Sequence, residues 1–183
     1  MTSVDLVGIA ILVVYAALGW LTGTVRRVIG ILVVYVALIA GTNMGQPGGE
    51  ILEQWNNTIP PQDARLYGWL FFFLLIAVAL EAAATAVHGR LQLAVVAFDK
   101  SLGVLIGLLT GVVLIVSLVF MTAGYSRAAI NQPSDLQAWM RDSLASSHFV
   151  LPMTRSISGV VVPLLNAGLP RDAQAYFTFK SAP

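Results

Sequence analysis

Three long stretches without a charged residue constrain this chain more than any other feature of its sequence. Residues 6–25, 28–49 and 101–126 contain no Asp, Glu, Lys or Arg. A helix that crosses a bilayer needs roughly 20 mainly apolar residues, and each stretch is long enough. Only 10% of the residues are charged and the mean hydropathy is +0.82, whereas a soluble domain has roughly a quarter charged residues. The sequence therefore predicts an integral membrane protein.

Several other classes of protein and site are disfavoured at once. Asp5 stands where a secretory signal would have basic residues, and a second apolar stretch follows almost immediately, so we expect the first segment to remain as a span. The chain has no cysteine, which excludes disulfides and thiolate metal ligands. A formal net charge of +1 gives no electrostatic support for nucleic-acid binding.

Length and hydropathy predict an all-α, polytopic fold with four transmembrane helices. The expected spans are about 5–22, 27–44, 66–88 and 100–124. Residues 1–124 would form the membrane domain, and 125–183 a C-terminal extracytoplasmic or interfacial segment. Residues 45–65 are rich in Pro, Gly and Asn, which predicts a loop with room for one helical turn.

The basic residues of the connections indicate an orientation. Arg26 and Arg27 lie in the first connection, and the third has Arg90, with Lys100 just beyond it. The second connection has only Arg65 against three acidic residues. Because Lys and Arg collect in cytoplasmic loops, we expect the first and third connections in the cytoplasm and both termini outside.

The last third of the chain has amphipathic rather than spanning character. Ser134 is a plausible N-cap, and the helix after it would place four apolar residues on one face: Leu136, Trp139, Met140 and Leu144. After Pro152 the apolar run is only about 13 residues long and Pro163 interrupts it, so it is too short to span. We expect both segments at the outer membrane surface or packed on the bundle; a re-entrant span over 150–168 is the alternative.

Glycines recur at four-residue intervals within two of the predicted spans. In lipid, helices associate through close van der Waals packing, and small residues allow their backbones to approach. The sequence therefore predicts helix-packing faces at Gly19, Gly23, Gly103, Gly107 and Gly111.

Each glycine face ends in a charge on the predicted cytoplasmic side. If the faces meet, Asp99 should form an ion pair with Arg26 or Arg27. The alternative is that Asp99 favours a positive helix N-terminus while the arginines contact lipid head groups.

These features together resemble the colicin V production protein (CvpA) family over about residues 5–124. The resemblance rests on an acid near the start of the first span, on "GWLTGTVRR" at its end, and on "FDKSLGVLIGLLTG" opening the fourth. The positions that it marks are Asp5, Gly19, Gly23, Arg26 or Arg27, Asp99, Gly103, Gly107 and Gly111. This chain departs from the pattern at Lys100, where Arg is expected, and at Thr110, where a basic residue is common.

The resemblance implies a bacterial inner-membrane protein with four spans. It also implies a link to colicin V-type toxin export and to envelope maintenance, without an agreed biochemical activity. An extracytoplasmic C-terminus fits that family.

Glu81 is an ionisable residue inside a predicted span, and with Thr85 and His88 it forms a polar stripe. Intramembrane acids are candidates for function by default. Glu81 would be protonated and hydrogen-bonded to a neighbouring helix, or near the inner interface with water or a base such as Arg90, or on a proton- or ion-coupled transport path.

No catalytic, metal or cofactor site is expected. The cluster "RDSLASSHF" contains Asp142, Ser143, Ser147 and His148, but neighbours on one short helix do not converge as a triad, and a polar surface face explains them better. The two histidines are far apart in sequence and give no metal-ligand spacing.

Two functions remain. We favour a non-enzymatic scaffold or accessory subunit that contacts the lipid bilayer and associates with other membrane subunits or itself, through the glycine faces and residues 134–168. The rival is a small transporter or channel with Glu81 on the path. A Glu81 with a protein partner would favour the scaffold, and a Glu81 in a water-filled cavity open to one membrane face would favour transport.

Overall fold

The computed structural model describes residues 2–88, 97–127 and 134–166, and this part of the chain is helical, without strands. The helices are α1 (Ser3–Trp55), α2 (Pro61–His88), α3 (Ala97–Arg127), α4 (Asp135–Ala145) and α5 (Val150–Asn166). Over the described residues, three helices are long and apolar enough to cross a membrane, namely α1, α2 over Pro61–Ala84, and α3 over Asp99–Tyr125. The all-α class is confirmed, but the first two predicted spans lie within one helix.

That helix, α1, is interrupted at Gly23. Its φ of 76° and ψ of 179° lie outside the helical range, in a region that glycine adopts without steric cost. We call residues 3–22 arm 1 and residues 24–55 arm 2.

The two arms fold back on one another at this break. The indole nitrogen of Trp69 lies 3.5 Å from the hydroxyl of Thr42 on arm 2, and Trp69 also lines a cavity together with Val4 of arm 1. In a continuous helix, residues 4 and 42 would be roughly 57 Å apart, at about 1.5 Å per residue. The ends of the two arms therefore meet on the side of the bundle opposite Gly23.

Arm 1 and α3 pack as antiparallel helices through their glycines. A Cβ atom on Gly19 would collide with the backbone of Gly103, and one on Gly107 with the carbonyl of Tyr15. Further along, Gly111 faces Leu12. The structure thus brings the predicted glycine faces together, as the close approach of backbones in lipid requires.

A second glycine face joins arm 2 to α2, and it corrects the predicted loop over residues 45–65. A Cβ on Gly68 would lie 2.6 Å from the nitrogen of Gly49 and 2.7 Å from the carbonyl oxygen of Gly45. Arm 2 continues as helix to Trp55, with Pro47 inside it, and the connection to α2 is only residues 56–60. Pro and Gly indicate turns in water, but here the glycines form the contact.

The C-terminal helices lie at the end opposite Gly23. Ser134 caps α4 as predicted, since its hydroxyl accepts the N–H of Gln137 at 3.2 Å. α5 has 17 residues, with Pro163 inside it, and packs on the bundle through Val150 and Val161, which are 1% and 5% exposed.

Candidate functional site

Next to the helix break, two arginines of arm 2 converge on the predicted intramembrane acid. An Arg26 Nη2 atom lies 3.0 Å from Glu81 Oε1 and also donates to the Glu81 carbonyl at 2.9 Å. Arg27 Nη2 lies 3.8 Å from the same carboxylate oxygen. The arginine side chains are 5% and 2% exposed, whereas that of Glu81 is 39% exposed. Buried charges are retained in proteins when they are paired, and Glu81 provides the counter-charge.

Arg27 is held from its other side by arm 1. Its Nε donates to the hydroxyl of Thr22 at 2.9 Å, and that hydroxyl donates to the carbonyl of Leu18. The chain of contacts therefore joins arm 1, arm 2 and α2 within one turn of the helix break.

Asp99 has other partners than those predicted. Its Oδ1 accepts the N–H of Thr24 at 3.0 Å, and the Thr24 hydroxyl donates to its carbonyl at 2.9 Å. Neither bond comes from Arg26 or Arg27, so the predicted ion pair is replaced by a cap. The physical reason is that the break leaves the first N–H groups of arm 2 without helical partners, and the glycine contacts bring Asp99 onto them.

Of the alternatives for Glu81, the structure agrees best with a basic partner, but the basic residues are Arg26 and Arg27 of arm 2. The predicted candidate, Arg90, and the side chains of Thr85 and His88 lie outside the described part of the chain. Glu81 therefore has a protein partner, the arrangement that favours the scaffold over transport.

Glu81 and Arg27 also line a groove of about 530 Å³ between arm 1, arm 2 and α2. Apart from these two residues and Tyr15, its lining is apolar or glycine. The groove thus has charges at one end and hydrocarbon along the rest.

At the opposite end, a buried carboxylate holds α5. The family resemblance marks Asp5, but the sequence analysis did not predict its partners. Asp5 is fully buried, and its Oδ1 accepts the Ser147 hydroxyl at 2.5 Å and the N–H groups of Phe149 and Val150 at 3.1 and 3.2 Å. Its Oδ2 accepts the N–H of His148 at 3.2 Å. The Val150 N–H is one of the donors without a helical partner at the start of α5, and His148 and Phe149 directly precede it.

Ser147 was predicted to belong to a polar surface face, and that prediction was wrong. Its side chain is 6% exposed, and its hydroxyl also accepts the N–H of Val150 at 3.1 Å. Serine is a common residue at helix starts, so a capping role for Ser147 could have been considered from the sequence. Its pairing with Asp5, 142 residues away, could not have been predicted.

A second buried acid at the same end joins α2, α3 and α4. Asp63 is 6% exposed and accepts hydrogen bonds from the hydroxyls of Tyr125 and Ser134, the latter at 2.9 Å. Gln137 donates to the carbonyl of Tyr125 at 2.7 Å. The start of α4 is thereby fixed to the bundle, as the start of α5 is by Asp5.

Between these two attachments lies an apolar cavity of about 240 Å³, bounded by arm 1, α2, α3 and α4. Trp139 and Leu144, predicted on the apolar face of α4, contribute to its wall. Within the described residues, no group of three or more His, Asp or Glu side chains could hold a metal ion.

The fold defines a helical membrane protein. Large apolar side chains point outward from all three long helices, among them Leu21, Val78 and Leu105, which are 75%, 67% and 61% exposed. Such a surface is stable where lipid rather than water surrounds the helices. A family model described as colicin V production protein matches residues 4–155, and the chain belongs to that family. Searches of curated proteins and of solved structures returned no match.

Proposed function

We propose that this protein is a non-enzymatic scaffold or accessory subunit of the bacterial inner membrane, acting in envelope maintenance or in export of a colicin V-type toxin. Its partners are other membrane subunits or a second copy of itself. Membership of the colicin V production family supports the biological setting. The scaffold role is supported by three acids that hold helices together, Asp5 and Asp63, which are buried, and Asp99, which is partly buried.

In this proposal the chain crosses the membrane four times, because each arm of α1 is a separate crossing. Arm 1 has 20 residues and arm 2 has 32, enough for one crossing each. The fold-back at Gly23 supports this topology. The arginines next to the break favour a cytoplasmic location for that end, because Lys and Arg collect on the cytoplasmic side. On this proposal the termini and the α4–α5 region are outside.

One observation supports the proposal above the others. The α4–α5 region is attached to the bundle at two buried acids, Asp5 and Asp63, and it presents large apolar side chains outward. Trp139 and Val160 are 52% and 67% exposed. A fixed surface with an exposed tryptophan is suited to docking, because tryptophan is enriched among residues that dominate binding energy.

The test is co-purification from native membranes in a mild detergent, with partners identified by mass spectrometry. We expect the native chain to retain a stoichiometric partner, either another membrane protein or a second copy. Trp139→Ser should remove that partner, since truncating a central interface tryptophan costs about 2 kcal/mol or more, which is about 30-fold in affinity.

Trp20→Ser is the matched control. Trp20 is 53% exposed, close to the value for Trp139, but it lies at the other end of the bundle beside Lys100. The control should keep the partner. Absence of any stoichiometric partner from the native chain, or its full retention by Trp139→Ser, would contradict the proposal.

A further inference from the structure

The groove on the flank of the bundle has the polarity of a lipid molecule. Arm 1 and α2 form its walls and arm 2 its floor, with Arg27 and Glu81 at the end near the helix break. From there the floor continues through Val34, roughly 10 Å farther along the helix at about 1.5 Å per residue. The rim residues Leu74 and Val78 are 55% and 67% exposed, so the groove opens sideways to the surrounding lipid.

Arg27 has hydrogen-bonding capacity that its protein partners do not use. A guanidinium has five N–H donors. The Nε of Arg27 donates to Thr22, while its Nη2 stands 3.8 Å from Glu81, beyond hydrogen-bonding distance. The side chain is 2% exposed and belongs to the lining of the groove, so a ligand in the groove can reach its remaining donors. Its Nη1 lies 3.9 Å from where a Cβ of Gly30 would stand, on the floor of the groove.

The charges at this end leave a positive excess. Arg26, Arg27 and Lys100 carry three positive charges at this end, and Glu81 and Asp99 carry two negative ones, so a ligand with one negative charge would make the end neutral. Phosphate oxygens fit a guanidinium well, because they accept its parallel N–H groups. Anionic lipids also concentrate near arginines at the cytoplasmic surface.

We propose that this groove binds one anionic phospholipid from the leaflet on the arginine side. The phosphodiester accepts hydrogen bonds from Arg27, and an acyl chain lies along Val34 and Leu74. The inference needs only that the bundle stands in a membrane, so it does not depend on the scaffold role, and its test is independent of any protein partner.

The experiment is native mass spectrometry of the full chain in detergent, titrated with phosphatidylglycerol or with phosphatidylcholine of the same acyl chains. We expect one phosphatidylglycerol per chain under conditions that strip phosphatidylcholine. Both lipids have a phosphodiester, so the comparison reports the net negative charge, and we expect about a fivefold difference in occupancy, the scale of the attraction between one basic side chain and anionic lipid. Inorganic phosphate at millimolar concentration should not displace the lipid, because the acyl chain contributes to binding.

Two pairs of variants test the location. Gly30→Leu fills the floor beside Arg27 and should abolish the preference; Gly159→Leu, on α5 with no atom within 4 Å of its added Cβ, should keep it. Ala82→Leu narrows the groove from its wall, whereas Ala83→Leu changes an equally exposed neighbour that does not line it. If Gly30→Leu does not fold, Ala82→Leu and Ala83→Leu still test whether the lipid binds in the groove.

Three results would overturn the proposal. They are equal retention of the two lipids by the native chain, an undiminished preference for phosphatidylglycerol in a folded groove-filling variant, and displacement of the lipid by phosphate alone.

Discussion

At the scale of single residues, the glycines on the contact faces of the described helices differ in how much space a side chain would find there. An added Cβ on Gly103 would collide with the carbonyl oxygen of Gly19 and lie 2.9 Å from the carbonyl carbon of Gly23. At Gly111 the nearest atoms are side-chain carbons at 3.3 and 3.4 Å, which can move. The two positions belong to one stripe but should respond differently to substitution.

We therefore predict that Gly103→Ala destabilises the bundle by about 1–3 kcal/mol, the usual cost of overpacking. Gly111→Ala should be neutral or slightly stabilising, because replacing a helical glycine by alanine gains about 0.5–1 kcal/mol when space allows. Thermal unfolding followed by tryptophan fluorescence in one detergent would measure both. Equal stability of the two variants would show that arm 1 and α3 are not in backbone contact at Gly103.

The sequence was sufficient to predict these glycine faces but not the partners of the charges beside them. Periodicity specifies which residues share a helix face, and Gly103, Gly107 and Gly111 follow from it directly. It does not specify which helices are neighbours in the bundle. Arg26 and Arg27 could face either Asp99 or Glu81, and only the lateral order of the helices, with α2 beside arm 2, selects Glu81.

At the scale of elements, α4 and α5 behave as a surface unit attached by hydrogen bonds. The Asp5 carboxylate accepts the N–H groups of His148, Phe149 and Val150, so it replaces the water that an exposed helix start would bind. The attachment is polar and local, whereas the packing of the long helices extends over their whole length.

Asp5→Ala should consequently release the start of α5 while the bundle stays folded. We expect amide hydrogen exchange over residues 148–153 to rise roughly tenfold or more, since hydrogen bonds to a charged group are lost, with no change in arm 2. Asp142→Ala is the control, because the Asp142 side chain is 77% exposed and lies beside Arg141. Unaltered exchange in α5 would mean that Asp5 does not hold it.

The sequence analysis ended the second span near residue 44, whereas arm 2 continues as helix to Trp55. Gly41, Gly45 and Gly49 have the same four-residue spacing as the stripe of α3, yet Pro47 and the polar residues around it indicated a loop. In the structure a glycine of α2, Gly68, packs against this face, and tertiary contact outweighs local propensity. The four-residue spacing could have predicted a helix contact face in arm 2. The contact residue on α2, Gly68, could not have been predicted, because a single glycine forms no pattern.

At the scale of the whole molecule, the fold has two polar ends joined by an apolar bundle. One end holds the arginines, Glu81 and Asp99, and the other holds Asp5 and Asp63 with the C-terminal helices. The break at Gly23 creates this division, because it returns arm 2 to the end where arm 1 began. Without it, α1 would be a rod about 80 Å long, at about 1.5 Å per residue, far longer than the roughly 30 Å hydrocarbon core.

The absence of cysteine from the sequence allows this topology to be tested directly. Single cysteines at Ser3, Asn57 and Lys100, all exposed, would report the start of α1, the α1–α2 connection and the start of α3. We expect a membrane-impermeant maleimide to label Ser3→Cys and Asn57→Cys from outside intact cells, and Lys100→Cys only after lysis. If α1 crossed the membrane once as a straight helix, Ser3 and Asn57 would be labelled from opposite sides. If Ser3→Cys and Asn57→Cys were both labelled only after lysis, the fold-back would still hold, because arm 1 begins on the side of the membrane where arm 2 ends. The orientation of the protein would then be the reverse of the one proposed.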